Sequence, residues 1–311
     1  MKIIYFGTSE FAVVSLKALV ASKHKIVAVV TAVDGRKGRG RKLGSSPVKI
    51  FGQQKGLDLF QPANLKDIKF LQALQAKKAD LFVVCAYGKI LTNQVLQIPL
   101  KYAINLHASL LPKYRGAAPI SWAIINGEKE TGITVFKMDE HMDRGEVLLQ
   151  KKAAIAPIDT SETLSATLSQ IGAKALLSSL DLIDSTGVEL KAQNEKRVSF
   201  APKLKKKDGL INWKGSASEI HNRIRGLQPW PGCFSYLKHK LVKIWGSTIV
   251  QSEKDGVCGE ITDLDADKGI LVQTGENKLM ITELQLEGKK RMSAVEFIAG
   301  HKIEIGERLG G

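Results

Sequence analysis

Short apolar runs alternate with stretches of helical period along the first half of the chain. Ile3–Phe6, Ile26–Thr31, Leu81–Cys85 and Ala103–Leu106 read as strands. Between them Ser9 can cap a helix through Leu19. A second helix starts at about Pro47, a residue suited to the first helical position, and Pro119 opens another that reaches Ile125. This alternation predicts an α/β fold: a Rossmann-like, doubly wound, mostly parallel sheet. Ser161 to about Ile183 reads as a long amphipathic helix, capped by Thr160 or Ser161, that closes a first domain of residues 1–188. Over residues 189–208 the periodicity fails and lysines accumulate, as expected of a basic linker crossing the surface between domains. Beyond it, after a short helix from Ser218 to Arg225, period-two segments dominate: Leu241–Trp245, Gly269–Gln273 and Lys278–Ile281. Turn residues separate them, which predicts a smaller antiparallel β-barrel over residues 209–311.

Composition narrows the class. The chain has 311 residues, 44% of them hydrophobic and 25% charged, enough for two domains with proper cores. No apolar run is long enough to span a bilayer. The stretch Met1–Gly7 reads as a first strand and not as a targeting peptide. Cys85, Cys233 and Cys258 lie far apart, with neither metal-ligand nor disulfide spacing, and Cys85 falls in an apolar run where a buried thiol is expected. A reducing, cytoplasmic setting follows. Nothing compels a dimer, and a monomer is expected. The formal net charge of +15 is high for an enzyme of small molecules only, and it suits a polyanion such as RNA. The charge is clustered: between Arg36 and Lys42 only Gly38 and Gly40 are uncharged, and Lys205, Lys206 and Lys207 form a second patch.

The chemistry concentrates in three polar residues. Asn105 and His107 end the apolar run that begins at Tyr102, and alternate residues of a strand share a face, so Leu106 points into the opposite layer. Asp143, in Asp143-Arg144-Gly145, follows a second strand-like run, Ile133–Phe136. Open α/β sheets carry their sites at strand ends. An amide donor, an imidazole and a carboxylate suit acyl transfer to an amine: donors hold the oxyanion, and the carboxylate orients the imidazole and takes the amine proton. The turn Phe6-Gly7-Thr8-Ser9 lacks the Gly-x-Gly-x-x-Gly pattern, which argues against a dinucleotide cofactor.

Asn105-Leu106-His107-Ala108-Ser109-Leu110-Leu111-Pro112, continued by Lys113-Tyr114-Arg115-Gly116-Ala117-Ala118-Pro119, resembles the signature of the 10-formyltetrahydrofolate-dependent formyltransferases. Thr131-Gly132-Ile133-Thr134 and Asp143-Arg144-Gly145 extend the resemblance, as do Phe6–Ala12 and Gln228-Pro229-Trp230-Pro231-Gly232, so it runs over nearly the whole chain. It implies a formyl transfer from 10-formyltetrahydrofolate, without a metal, to the amine of an initiator methionyl-tRNA. By position it makes Asn105, His107 and Asp143 the catalytic trio, and Ser109, Leu110, Leu111 and Pro112 the folate-binding segment. Tyr87 and Ile90, in the loop Ala86–Leu91, would help wall the pterin pocket. Arg36, Lys37, Arg39, Arg41 and Lys42 would reach the acceptor end of the tRNA, with Lys205, Lys206 and Lys207 adding a second contact. The C-terminal barrel would be OB-like. A formyltransferase of amino sugars or nucleotides, and an RNA-binding protein on a decayed enzyme, remain as alternatives.

Overall fold

The computed structural model describes residues 1–37, 42–185, 188–253 and 255–310. Contacts divide the chain into two compact units. The first comprises Met1–Pro119, Glu130–Ala154 and Ser165–Pro202; the second comprises Ile120–Lys129, Ile155–Leu164 and Lys203–Gly311.

In chain order the first part contains β1 (Lys2–Gly7), α1 (Glu10–Val20), β2 (Lys25–Val30), β3 (Gly35–Lys37), β4 (Lys42–Gly44), α2 (Pro47–Gln54) and β5 (Leu59–Phe60). Next come α3 (Ile68–Ala76), β6 (Leu81–Cys85), α4 (Asn93–Leu96), β7 (Tyr102–His107), β8 (Arg115–Gly116), α5 (Pro119–Ile125), β9 (Glu130–Lys137), β10 (Val147–Ala154) and α6 (Ser161–Asp184). A seven-stranded sheet runs in the order β10-β9-β7-β6-β1-β2-β5. The strands from β7 to β5 are parallel, whereas β9 and β10 are antiparallel additions at one edge. The mostly parallel, doubly wound sheet anticipated from the alternation is present.

Burial explains why the central strands read as unbroken apolar runs. Ile4, Phe6, Ala28, Val30, Phe82, Val84 and Ala103 pack on Phe70 and Leu74 of α3 and Val95 of α4. Residues of the other parity, among them Ile3, Tyr5, Leu81, Val83 and Cys85, are equally buried, so both faces are covered. On that second face Leu106 meets α6 at Gly172, where an added Cβ would stand 3.1 Å from the leucine. Cys85 is fully enclosed, and burial pushes its thiol up to about 11. Two caps behave differently. Ser46 accepts from the Lys49 N–H as a true N-cap of α2, but Ser9, at the start of α1, makes no capping bond.

The second unit contains α7 (Ala217–Gly226), β12 (Cys233–Leu237), β13 (Lys240–Val250), β14 (Ile261–Asp265), β15 (Gly269–Gln273), β16 (Lys278–Leu286), β17 (Met292–Ser293) and α8 (Ala294–Gly300). β11, Phe200–Ala201, pairs with β8 in the first unit. The strands form an antiparallel sheet in the order β12-β13-β16-β15-β14, with β17 beside β16. The last residues close it. Gly310 donates to the Tyr236 carbonyl beside β12, and Leu309 donates to Gly259 while Ile261 donates to Glu307 beside β14. Both outer strands therefore have partners, which removes the open edges of the sheet. No helix among the described residues is long and apolar enough to cross a membrane.

The division differs from the expected boundaries at 188 and 208. Residues 120–129 and 155–164 belong with the C-terminal unit because α7 holds them. Gly226 has no side chain, and a Cβ there would sit 2.7 Å from Ile125 and 3.0 Å from the Ser121 carbonyl. Arg225 donates to the Asp159 carbonyl at 2.7 Å, and the Ser161 hydroxyl donates to the Gly226 carbonyl at 2.5 Å. The expected linker is itself split, its residues through Pro202 lying with the first unit.

His221 of α7 gives the second unit a pH signature. Its Nδ1 lies 3.0 Å from the Ser247 hydroxyl, and burial, aided by Arg225, holds the imidazole below its ordinary value of 6.5. The unfolded chain therefore binds this proton at a higher pH than the folded one. The contribution to stability is present above about pH 6.5 and declines as pH falls through that value. Urea midpoints measured from pH 8 to 5 should fall less steeply in His221→Gln than in the unaltered protein.

Candidate active site

β7 presents two of the three anticipated residues. It is paired on both sides: Val84 lies opposite Asn105 on β6, while Phe136 and Thr134 of β9 lie opposite Asn105 and His107. Asn105 is half-buried, and its amide makes no hydrogen bond to another described residue. His107 is buried and committed. Its Nε2 lies 3.0 Å from the Tyr114 carbonyl, which can only accept, so Nε2 carries the proton and donates. Its Nδ1 faces Asp143 Oδ2 at 3.7 Å, a separation longer than a hydrogen bond.

Asp143 arrives by a route that the strand pattern did not show. β9 runs antiparallel to β7, so its last residue, Lys137, pairs with Ile104 and not with the end of β7. The loop between β9 and β10 then carries the carboxylate back to His107. Asp143 adopts a left-handed backbone with φ of 53°, and its Oδ2 accepts from the Gly116 N–H at 2.8 Å. Aspartate tolerates that conformation better than most residues. The unusual backbone falls on Asp143, and Gly145 is needed because a Cβ would lie 1.8 Å from the Lys137 carbonyl oxygen. Gly145→Ala should destabilise the first unit by about 1–3 kcal/mol through overpacking, visible as a lower urea midpoint and accompanied by loss of activity.

A second set of side chains frames this group. Arg115 is buried; its guanidinium donates to Gln193 Oε1 from Nη2 at 2.8 Å and to Glu195 from Nη2 at 3.0 Å. That hydrogen bond from Arg115 holds the Glu195 carboxyl below the usual carboxylate range. Gln193 Nε2 in turn donates to the carbonyls of Asp143 at 2.9 Å and Gly145 at 2.8 Å. Gln193 and Glu195 lie in the segment expected to be a linker. Lys191 bridges to Val147 and Phe200–Ala201 pairs with Arg115–Gly116, so this stretch is anchored at the site. The only trace in the sequence is the interruption of the lysine-rich stretch by Gln193-Asn194-Glu195.

The segment Ser109–Pro112 follows β7 directly. Its backbone is fixed by Thr134, fully buried, whose hydroxyl donates to the Ser109 carbonyl at 2.7 Å and accepts from the Leu111 N–H at 3.0 Å. Gln150 Nε2 adds bonds to the Leu111 carbonyl at 2.8 Å and to the Thr134 hydroxyl at 2.9 Å. The Ser109 hydroxyl donates within the loop, to the Lys113 carbonyl at 2.6 Å. Leu111 is buried, and Leu110 and Pro112 are half-buried. The two other residues expected at the folate pocket part company. Tyr87 is buried, its ring edge-on to Phe6 at 5.5 Å, while Ile90 is 77% exposed. The Tyr87 hydroxyl has no hydrogen-bond partner among the described residues, and burial pushes it up to about 12.

Of the basic residues, Arg36, Lys37 and Lys42 fall in the paired strands β3 and β4. Arg39 and Arg41 lie outside the described residues. Lys205, Lys206 and Lys207 are all exposed, the last two in a short 3-10 turn, Lys206–Gly209.

The strand-end amide, the buried imidazole and the carboxylate returned to it are groups of the kind that acyl transfer to an amine uses. The family model described as formyl transferase matches residues 1–180, and that described as formyl transferase, C-terminal domain, matches residues 203–302. The chain belongs to the formyl transferase family. The methionyl-tRNA formyltransferase of Thermodesulfovibrio yellowstonii is 47% identical over 304 residues, covering 98% of this chain and 97% of its own. That of Alkaliphilus oremlandii is 44% identical over 310 residues, covering 100% of both chains. Among solved structures, a sugar 3N-formyl transferase in the presence of dTDP and 5-N-formyl-THF matches with a TM-score of 0.68 at 19% identity, over 93% of this chain and 99% of that one. The N-formyltransferase from Helicobacter canadensis, in complex with folinic acid and dTDP-3-aminofucose, matches with a TM-score of 0.67 at 19% identity, over 90% and 98% of the two chains. At such identity these two structures establish the fold alone.

Proposed function

We propose that this protein transfers the formyl group of 10-formyltetrahydrofolate to the α-amine of methionine carried by initiator tRNA. The observation that carries the reading is the unpartnered Asn105 amide beside the His107–Asp143 pair, in a chain similar over its whole length to methionyl-tRNA formyltransferases. The folate supplies an activated formyl carbon. The residues present fit such a donor: Asn105 offers an amide with no bond to another described residue on the strand that leads into Ser109–Pro112, whose backbone Thr134 and Gln150 fix.

The chain's own part follows from its hydrogen bonds. The Asn105 amide donates to the formyl oxygen as negative charge grows there, a bond strongest in the transition state. The amine must lose a proton as its nitrogen bonds to carbon, and the departing folate nitrogen must gain one. Asp143 takes the amine proton. His107 was expected to share the oxyanion with Asn105, but its Nε2 is engaged by the Tyr114 carbonyl, which leaves Nδ1, facing Asp143, as its working atom. Its role here is to partner the carboxylate during proton transfer. Holding both substrates converts a collision into a unimolecular step.

The first unit acts as the catalytic domain and the C-terminal unit as a tRNA-binding domain. Lys205–Lys207, exposed and cationic, bind the phosphate backbone, and Arg36, Lys37, Arg39, Arg41 and Lys42 bind the acceptor end. The protein works in the cytoplasm as a monomer. The test supplies purified protein and 10-formyltetrahydrofolate with charged initiator tRNA, charged elongator tRNA or a small amine. Formylmethionine mainly on the initiator supports the reading. Transfer only to a small amine would retain the chemistry and discard the tRNA acceptor; no transfer to any acceptor would discard both.

A further inference from the structure

We propose that Gln193 is a positioning residue for the reaction, acting through Asp143. The inference rests on the reading of Asp143 as the carboxylate that moves the amine proton. Asp143 holds a left-handed backbone that non-glycine residues adopt at a cost. Something must therefore fix it. Its carboxylate is held from one side by the Gly116 N–H, and its backbone from the other by Gln193.

The orientation of the Gln193 amide is determined by its neighbours. Arg115 can only donate, so its Nε at 3.1 Å and Nη2 at 2.8 Å must meet the oxygen Oε1. The carbonyls of Asp143 and Gly145 can only accept, so they must meet Nε2. One amide thus links a buried cation to both ends of the Asp143-Arg144-Gly145 turn. Arg115 is tied down independently, by Glu195 and by the pairing of Arg115–Gly116 with Phe200–Ala201. Gly116, whose N–H holds the Asp143 carboxylate, belongs to that same pairing; a Cβ there would stand 2.6 Å from the Ala201 carbonyl. Lys191 and Val147 exchange two backbone bonds, of 2.8 and 2.9 Å, that anchor the other end of the strap. Gln193 sits between the two anchors and reaches inward.

This arrangement sets the carboxylate without touching a substrate. Proton transfer demands placement to within about 0.5 Å, so slack at Gln193 is read in turnover. Substitution by Glu separates the two sides of the amide. Gln193→Glu keeps an acceptor for Arg115 but removes both donors to the turn. Gln193→Met fills a similar volume with neither bond. Turnover, KM for 10-formyltetrahydrofolate and for charged initiator tRNA, and the thermal midpoint would be measured for both variants. Each would be made in the unaltered protein and in Asp143→Asn, and assayed at a temperature where circular dichroism shows it folded.

The expected result is a loss of kcat of about 10- to 100-fold in both variants, with KM values little changed. In the Asp143→Asn background neither substitution should reduce kcat further, because residues acting through one group are non-additive. Unaltered kcat in both variants would overturn the proposal. So would an equal loss in the Asp143→Asn background, which would assign Gln193 a role independent of the carboxylate. If the unaltered protein transfers no formyl group to any amine, the reading of function fails; an active protein with indifferent variants fails this inference alone.

Discussion

Asn105→Ala should lower kcat by about 10²- to 10³-fold, the usual cost of losing one donor to a developing oxyanion. The structure isolates this effect unusually well. The Asn105 backbone is paired on both sides, to Val84 and to Phe136, and these bonds do not involve the side chain. The amide itself serves no other described residue. Truncation therefore deletes the group proposed to meet the formyl oxygen and removes no hydrogen bond to another described residue. The KM for 10-formyltetrahydrofolate should change little, since the bond strengthens only as charge moves onto oxygen. Single-turnover formyl transfer with both substrates saturating is the measurement. A variant with raised KM and unaltered kcat would instead make Asn105 a ground-state contact, and the oxyanion would need another donor.

The fold and the core of the site were legible in the sequence for different reasons. Strands buried on both faces leave continuous apolar runs, so β1, β6 and β7 could be read directly. Proline marked the starts of α2 and α5, and the long helix from Ser161 ended within one residue of the expected position, at Asp184. Asn105 and His107 share a face because a strand has period two, which needs no tertiary information. Other features depend on tertiary contact. The antiparallel direction of β9 leaves no mark in its own composition, and neither does the loop that returns Asp143 to His107. Residues 189–202 looked like a linker because their order comes from bonds to distant partners, Val147, Arg115 and Gly116, and not from local periodicity. Likewise, residues 120–129 and 155–164 precede the C-terminal unit in sequence but are held by α7 through Arg225, Gly226 and Ser161. A family pattern could nominate Tyr87 and Ile90 together, yet one is in the core and the other is on the surface, a distinction set by packing alone.

Asp143→Asn should abolish most of the turnover while leaving the fold as stable as before, and this contrast separates charge from architecture. The new amide oxygen can still accept from the Gly116 N–H, and asparagine tolerates the left-handed backbone as aspartate does. The oxygen that accepts from Gly116 is the same Oδ2 that faces His107 Nδ1 at 3.7 Å, so the new amide oxygen keeps that place and the NH2 group takes the other carboxylate position. The contacts that place the turn, from the Gly116 N–H and from Gln193 to the Asp143 carbonyl, are therefore retained. What disappears is the negative charge and the capacity to accept a proton, for which a loss of about 10²- to 10⁴-fold in kcat is expected. Asp143→Ala should lose activity to a similar degree but also cost about 1–3 kcal/mol of stability, because the Gly116 N–H loses its acceptor. Denaturant titrations beside kinetic assays distinguish the pair. Near-normal turnover in the Asn variant would show that the carboxylate only shapes the loop. Proton removal would then fall to a bound water, and the partnership of His107 with Asp143 would have no part in the chemistry.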